Sequence, residues 1–92
     1  MPYMYGDRPP CAHELKVNPE YYLDLSTQRK NFEVRRKDRD YQVGDFIILK
    51  EYNCNSNNYT GHWILSRISY ILDDPRFCKE GYVILGLKFI EP

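Results

Sequence analysis

A lysine, a glutamate and an arginine lie close together in the sequence Lys30-Asn31-Phe32-Glu33-Val34-Arg35. Glu33 and Arg35 are two positions apart, so on a β-strand their side chains share one face, with Cα atoms roughly 7 Å apart. A carboxylate beside two cations stays ionised and accepts hydrogen bonds, while the cations bind phosphate or ribose oxygens. This spacing is that of a small site for a nucleotide-like ligand, or of a surface ion pair across one strand face that has no function.

Further cations surround these three residues. The whole chain has 13 basic and 13 acidic residues, but the segment from Arg29 to Asp40 has a basic excess. Arg36 and Arg39 either contact phosphates or only make a turn soluble. Lys16 joins the site if the first strand lies beside the charged one, and His13 precedes it. The predicted ligand-binding set is Lys30, Glu33, Arg35, Lys16, His13, Arg36 and Arg39.

A helix is predicted just before this segment. Asn18 is a good residue to cap the free N–H groups of a helix, and Pro19 suits the first helical position. We expect the helix to run to about Gln28. Its apolar face, at spacings of three and four residues, consists of Tyr21, Tyr22 and Leu25.

The hydrophobic period then changes to two, which indicates strands. Phe32 and Val34 are predicted to face the core, and Glu33 and Arg35 the solvent. A loop is expected at 53–61. Of the other strands, Phe46–Glu51 is apolar enough for burial on both faces, and Ile64, Ile68, Tyr70 and Leu72 are expected to share one face. The remaining predicted strands are His13–Val17, His62–Leu72 and Tyr82–Ile90, the last with Val83, Leu85, Leu87 and Phe89 on one side.

One helix and about five strands with no repeated βα unit predict an α+β fold with a curled, mostly antiparallel sheet. At 92 residues the chain has the size of one domain, which we place at residues 12–92, after an irregular arm at residues 1–11. The longest apolar run is Phe46–Leu49, far short of the roughly 20 residues of a membrane span. Without a recognisable signal peptide, a cytoplasmic protein is expected.

The three cysteines, Cys11, Cys54 and Cys78, are an odd number in predicted loops, so we expect free thiols. Cys11 lies two positions before His13, but the chain has no C-x-x-C pair with which a zinc site usually begins. We therefore expect neither a metal nor a cofactor.

The segment Lys30 to Arg35 resembles K-x-x-E-x-R, the core of the G-x-K-x-x-E-x-R motif of ASCH domains, which belong to the PUA-like β-barrel superfamily. From His13 to about Phe89, an ordered series of segments resembles the small ASCH-type family DUF3850 of bacteria and phages. The segments include His13-Glu14-Leu15-Lys16, Asp38-Arg39-Asp40-Tyr41, Val43-Gly44-Asp45, Tyr70-Ile71-Leu72-Asp73-Asp74 and Gly81-Tyr82-Val83-Ile84-Leu85-Gly86-Leu87. The leading glycine of the motif is Gln28 here. Either the turn differs, or Gln28 adopts a left-handed backbone at a cost on the order of 1 kcal/mol.

The resemblance implies a PUA-like barrel with a cleft that binds RNA or a nucleotide-like ligand through Lys30, Glu33 and Arg35. Some ASCH relatives are small amidohydrolases with a threonine about where Glu33 stands, so their activity does not transfer directly. The alternative remains a small amidohydrolase or nuclease acting on a nucleoside or RNA, with Lys30 as base or nucleophile and Glu33 moving protons. A third hypothesis is a phage or host protein-interaction module that uses the arm Met1 to Pro10.

Overall fold

The computed structural model describes residues 8–90, which form one five-stranded sheet and one short helix. The elements are β1 (Ala12–Val17), α1 (Pro19–Ser26), β2 (Phe32–Arg36), β3 (Phe46–Asn53), β4 (Asn58–Leu72) and β5 (Tyr82–Phe89). The predicted α+β class, with five strands and one helix, is confirmed. Most of the predicted arm lies outside the described residues. No helix in the described part of the chain is long and apolar enough to cross a membrane.

The strands are ordered β1-β3-β4-β5-β2. Three of the four neighbouring pairs are antiparallel, in agreement with the predicted mostly antiparallel sheet, and the β1–β3 pair is parallel. Register shifts lie between Lys50 and Tyr52 in the β3–β4 pair, and between Ile68 and Tyr70 in the β4–β5 pair. Such irregularities bend strands and increase their twist. The sheet is therefore curled, with β1 and β2 as its two edges.

The core lies on the concave face of the sheet, beneath the single helix. Leu25 is the one fully buried residue of α1, which packs against β3. In β5 the alternation places three residues inward, as predicted. The other buried apolar residues come from β1, β3 and β4, and the full set is Leu15, Val17, Leu25, Ile47, Leu49, Ile68, Val83, Leu85 and Leu87.

Predictions about the helix need three corrections. It ends at Ser26 rather than near Gln28, because the chain leaves the helical conformation at Thr27. Asn18 is the N-cap residue, but its backbone carbonyl, not its side chain, accepts from the amides of Tyr21 and Tyr22 at 3.0 and 2.9 Å. Tyr21 is 49% exposed, since a single helix on a narrow sheet buries only a narrow stripe.

The prediction for the faces of β2 was wrong. Glu33 is 5% exposed, whereas Phe32 and Val34 are 42% and 51% exposed. Alternation separates two faces but does not show which of them is inward. Burial of a carboxylate is tolerated where cations and hydrogen bonds satisfy it, and Glu33 has such partners.

Three smaller corrections concern β3 and β4. Only Ile47 and Leu49 of β3 are fully buried, because its other face is only half covered. The loop predicted at 53–61 is a tight hairpin, in which Asn53 Oδ1 accepts from the amide of Asn55 at 3.0 Å and β4 begins at Asn58. Tyr70 does not share the buried face of Ile68, because the register shifts between them.

Asp45, which the sequence marked only as part of a turn, is a buried centre of polar contacts. Its oxygens accept from Arg8 Nη1 and Nη2 at 2.9 and 2.8 Å and from the amides of Cys11 and Gln42 at 3.1 Å each. His13 Nε2 lies 2.8 Å from Oδ2. These bonds attach the segment before β1 to the start of β3.

We expect Asp45→Asn to destabilise the protein by about 3 kcal/mol at neutral pH, since it leaves the Arg8 charge without its buried partner. Burial raises the pKa of Asp45, but bonds from Arg8, His13 and Cys11 outweigh burial and hold this pKa well below its usual range. In the unfolded chain an aspartate titrates near about pH 4. The stabilisation by Asp45 is therefore complete above that pH and is lost progressively as the pH falls further.

Chemical unfolding of wild type and Asp45→Asn between pH 7 and pH 2 measures both effects. Asp40→Asn is the matched control, because Asp40 also pairs with Arg8 but its side chain is 85% exposed. The control should change the unfolding free energy by less than about 1 kcal/mol. Equal losses in the two variants, or an unchanged acid dependence in Asp45→Asn, would contradict this account.

Candidate nucleotide-binding site

The centre of the site is the buried carboxylate of Glu33 between two cations. Lys30 Nζ donates to Oε1 at 2.7 Å, and Arg35 Nε donates to Oε2 at 3.0 Å. Arg35 Nη2 lies 2.9 Å from the same Oε2, within ion-pair distance. The side chains of Lys30 and Arg35 are 19% and 24% exposed. Both carboxylate oxygens are thus occupied by the chain's own cations, and Glu33 fixes their positions.

The turn between α1 and β2 places Lys30. Gln28 has φ of 61°, so it adopts the left-handed conformation that the motif's glycine would adopt more easily. The Lys30 amide then donates to the carbonyl of Asp24 at 3.0 Å. Lys30 Nζ also donates to the carbonyl of Phe32 at 2.7 Å, which holds the side chain back over β2. Gln28, which stands where the motif has glycine, therefore forms this turn with a left-handed backbone.

Arg35 also joins the two edges of the sheet. Its Nη2 donates to the carbonyl of Lys16 on β1 at 2.7 Å, and Arg39 Nη1 donates to the carbonyl of Glu14 at 3.2 Å. Edge strands carry unpaired carbonyls that need partners. Two guanidinium groups supply them here, so side chains and not backbone pairs connect the β2 side to β1. We call this connection the arginine seam.

A cleft of about 520 Å³ opens beside this cation pair. Lys30 Nζ lies 4.9 Å from the centroid of the Phe32 ring and 5.6 Å from that of Tyr21, within cation–π range. The cleft is therefore both cationic and aromatic. Its lining residues are Lys16, Val17, Asn18, Tyr21, Lys30, Phe32, Glu33, Val34 and Arg35.

The structure brings four of the predicted ligand-binding residues to this cleft: Lys16, Lys30, Glu33 and Arg35. Arg36 and Arg39 line an adjoining cleft of about 320 Å³. His13 lies elsewhere, because it is 8% exposed, pairs with Asp45 and packs 4.9 Å from the ring of Tyr41. Sequence reasoning missed the aromatic part of the site, because the periodicity predicts Tyr21 on the apolar face of the helix and Phe32 on the core face of its strand.

Cys11, His13 and Asp45 bring three potential metal donors within 4.8 Å of one another. Cys11 Sγ lies 3.6 Å from His13 Nε2, the same nitrogen that faces Asp45. The two oxygens of Asp45 already accept from Arg8, so the carboxylate that a metal would need is bonded to a positive guanidinium. The donor types suit zinc, but the charge of Arg8 opposes it, and we assign the cluster to the structural network of Asp45. All three cysteines are free thiols.

Residues 12–87 match the family model described as a domain of unknown function, DUF3850. The chain belongs to the DUF3850 family. It is also 34% identical over 73 residues to an uncharacterized 12.9 kDa protein in the GpA 3′ region of Escherichia phage P2. That match covers 79% of this chain and 64% of the relative's length, so the chain spans less than two thirds of that phage protein. The predicted membership of DUF3850 is confirmed.

We expect Glu33→Gln to destabilise the domain by about 3 kcal/mol, because Lys30 and Arg35 would be left half-buried without their counter-charge. Thermal and chemical unfolding measure the change. Glu14→Gln is the control, since Glu14 pairs with Lys50 at 2.6 Å but is exposed, and its loss should destabilise the domain much less than that of Glu33. Similar losses in the two variants would show that Glu33 is an ordinary surface charge.

Gln28→Gly should raise the unfolding free energy by about 1 kcal/mol, because glycine adopts a φ of 61° without the steric cost that glutamine incurs. Thr27→Gly is the control: Thr27 has φ of −91°, so glycine there adds only backbone entropy to the unfolded chain and should destabilise. Chemical unfolding of both variants checks the signs. A loss of stability in Gln28→Gly would mean that other contacts of Gln28 outweigh the backbone cost.

Proposed function

We propose that this chain is an RNA- or nucleotide-binding module, with its ligand in the cleft beside Lys30, Glu33 and Arg35. The observation that carries the proposal is the buried Glu33 carboxylate, which holds two cations at the wall of a cleft of about 520 Å³. Cations fixed by a buried partner lose little side-chain entropy when they bind a phosphate. A cleft of this volume is in the range of small-ligand sites.

Donors remain for a ligand. Among the described residues, Arg35 Nη1 has no hydrogen-bond partner, and Lys30 Nζ uses two of its three protons. Lys16 is exposed and has no carboxylate partner in residues 8–90. These three cations supply phosphate or ribose contacts, while Tyr21 and Phe32 offer rings on which a base stacks. Glu33 then orients the cations rather than reading a base edge itself.

The segment from Lys30 through Arg35 resembles the ASCH motif, and this resemblance supports the same function. ASCH domains are PUA-like, and we extend the proposal to a PUA-like relationship for this curled sheet. The position of the cleft between the end of α1 and the start of β2 agrees with the motif, since the motif's residues line it.

The amidohydrolase or nuclease hypothesis is less well supported by the geometry. A lysine that acts as base or nucleophile needs a free lone pair on Nζ. Lys30 Nζ instead donates at 2.7 Å both to Glu33 and to the carbonyl of Phe32. The two oxygens of Glu33 in turn accept from Lys30 and Arg35, so neither is free to take a proton from a substrate in this arrangement. Binding is therefore the function we favour.

The test is a titration of fluorescein-labelled random-sequence RNA of eight nucleotides into wild type and Lys30→Ala at several salt concentrations. Wild type should bind, and Lys30→Ala should bind at least about tenfold more weakly with a shallower salt dependence, because one phosphate contact is lost. Lys88→Ala is the matched control: Lys88 is an exposed lysine on β5 that does not line the cleft. Lys30→Met, which keeps the aliphatic stem, covers the case in which the alanine variant unfolds.

Equal losses in Lys30→Ala and Lys88→Ala would contradict a specific site and indicate attraction by surface charge alone. Weak, salt-insensitive binding by all four proteins would remove RNA as the ligand. Release of product from the RNA by wild type, abolished in Lys30→Met, would favour the hydrolase instead.

A further inference from the structure

A second cleft, of about 380 Å³, continues from the first one across β1. The two clefts share Lys16 and Arg35, and Arg35 lies in the arginine seam between them. Four cations and one carboxylate line the second cleft: Lys16, Arg35, Arg39 and Lys50, with Glu14. Lys50 is paired with Glu14 at 2.6 Å, but Lys16 and Arg39 have no carboxylate partner among residues 8–90. The positive charge thus extends beyond the proposed nucleotide site.

An exposed tyrosine lies at the far end of this second cleft. Tyr59 is 53% exposed, and its ring packs edge-on against Tyr52 with centroids 5.0 Å apart. Lys16 Nζ lies 4.3 Å from the Tyr52 centroid and 5.8 Å from that of Tyr59, and Lys50 Nζ lies 5.5 Å from the Tyr59 centroid. A tyrosine held in place by a neighbouring ring and flanked by ammonium groups suits a stacked base with its phosphate alongside.

We propose that the ligand is single-stranded RNA several nucleotides long, which passes from the cleft of Lys30 over Lys16 and Arg35 and stacks a further base on Tyr59. This inference rests on the proposed function and adds the ligand's class and direction. Aromatic rings stack on bases that have left a duplex, so the site is suited to a single strand and not to a double helix. The shared cations Lys16 and Arg35 lie where the backbone between two bound nucleotides would pass.

The cleft lined by Arg36 and Arg39, here called the third cleft, also borders Arg35 and offers the RNA strand an alternative path. Its volume is about 320 Å³, and it is lined in part by Arg36, Asp38, Tyr41 and Tyr82. Tyr41 and Tyr82 are only partly accessible, whereas Tyr59 is exposed. Asp38 also adds an acid with no cation partner among residues 8–90. A base therefore finds a better stacking surface at Tyr59 than on this side.

The experiment compares labelled random-sequence RNA pools of two and eight nucleotides on wild type, Tyr59→Ala and Lys50→Gln. Wild type should bind the longer pool at least about tenfold more tightly. Tyr59→Ala should remove about tenfold of the affinity for eight nucleotides, the scale of one lost base stack, and leave dinucleotide binding unchanged. Lys50→Gln should lower affinity for the longer pool and reduce its salt dependence.

Two matched controls define the path. Tyr70→Ala removes another exposed tyrosine of β4, 65% accessible, which lines neither cleft, and it should not change binding. Arg36→Gln removes one charge at the third cleft, as Lys50→Gln does at the second, and should have the smaller effect. A larger loss with Arg36→Gln than with Lys50→Gln would overturn the proposed direction.

The results separate this inference from the proposed function. If both pools bind with equal affinity and both need Lys30, the nucleotide site exists and the extension to Tyr59 is wrong. If Lys30→Met binds like wild type, the proposed function itself fails. If an RNA duplex of eight base pairs displaces the labelled RNA as well as a single strand does, stacking on Tyr59 is contradicted. If single-stranded DNA displaces it equally well, the site has no preference for RNA.

Discussion

A carboxylate buried between two cations is the interaction on which this domain depends. Glu33 lies on the edge strand β2 with its side chain buried. Its two oxygens pair with Lys30 from the helix-to-strand turn and with Arg35 from the same strand. Without that buried charge, two half-buried cations would repel each other at the place where the chain leaves the helix. The ion pair therefore stabilises the fold at this point and, in our proposal, presents the cations to a ligand.

Arg35 connects this centre to the architecture. A curled sheet of five strands leaves two edges, and the carbonyls of β1 need donors that β2 does not supply from its backbone. Arg35 and Arg39 reach across and donate to Lys16 and Glu14. The arginine seam thus belongs both to the sheet and to the clefts on either side of it. Substitutions at Arg35 are consequently poor probes of binding, whereas Lys50 and Tyr59 separate the two roles.

The sequence was informative where local chemistry decides the structure. Pro19 marked the helix start, and alternation in β5 identified its buried residues. Lys30, Glu33 and Arg35, which the motif K-x-x-E-x-R groups, lie in contact in the structure. The motif did not show that Glu33 faces inward and Phe32 outward, because a period of two is the same for either face. The partnership of Asp45 with Arg8 was also invisible, since contacts across 37 positions leave no periodic signal.

The same limit explains the error for Tyr21 and Phe32. Aromatic residues at helical or strand spacing are usually core. Tyr21 lines the cleft instead because α1 buries only a narrow stripe, and Phe32 lines it because Glu33 takes the inward face of β2. The site was therefore predictable in its charges but not in its aromatic walls.

In our proposal, the arginine seam also couples ligand binding in the cleft to the contact between the two edges of the sheet. A ligand that engages the free Nη1 of Arg35 restrains the same guanidinium whose Nη2 holds the carbonyl of Lys16. By thermodynamic linkage, any bound molecule that orders this group makes separation of β1 from β2 less frequent, and any force that parts the two edges weakens binding. In our proposal, local opening at this edge and ligand release are therefore coupled equilibria.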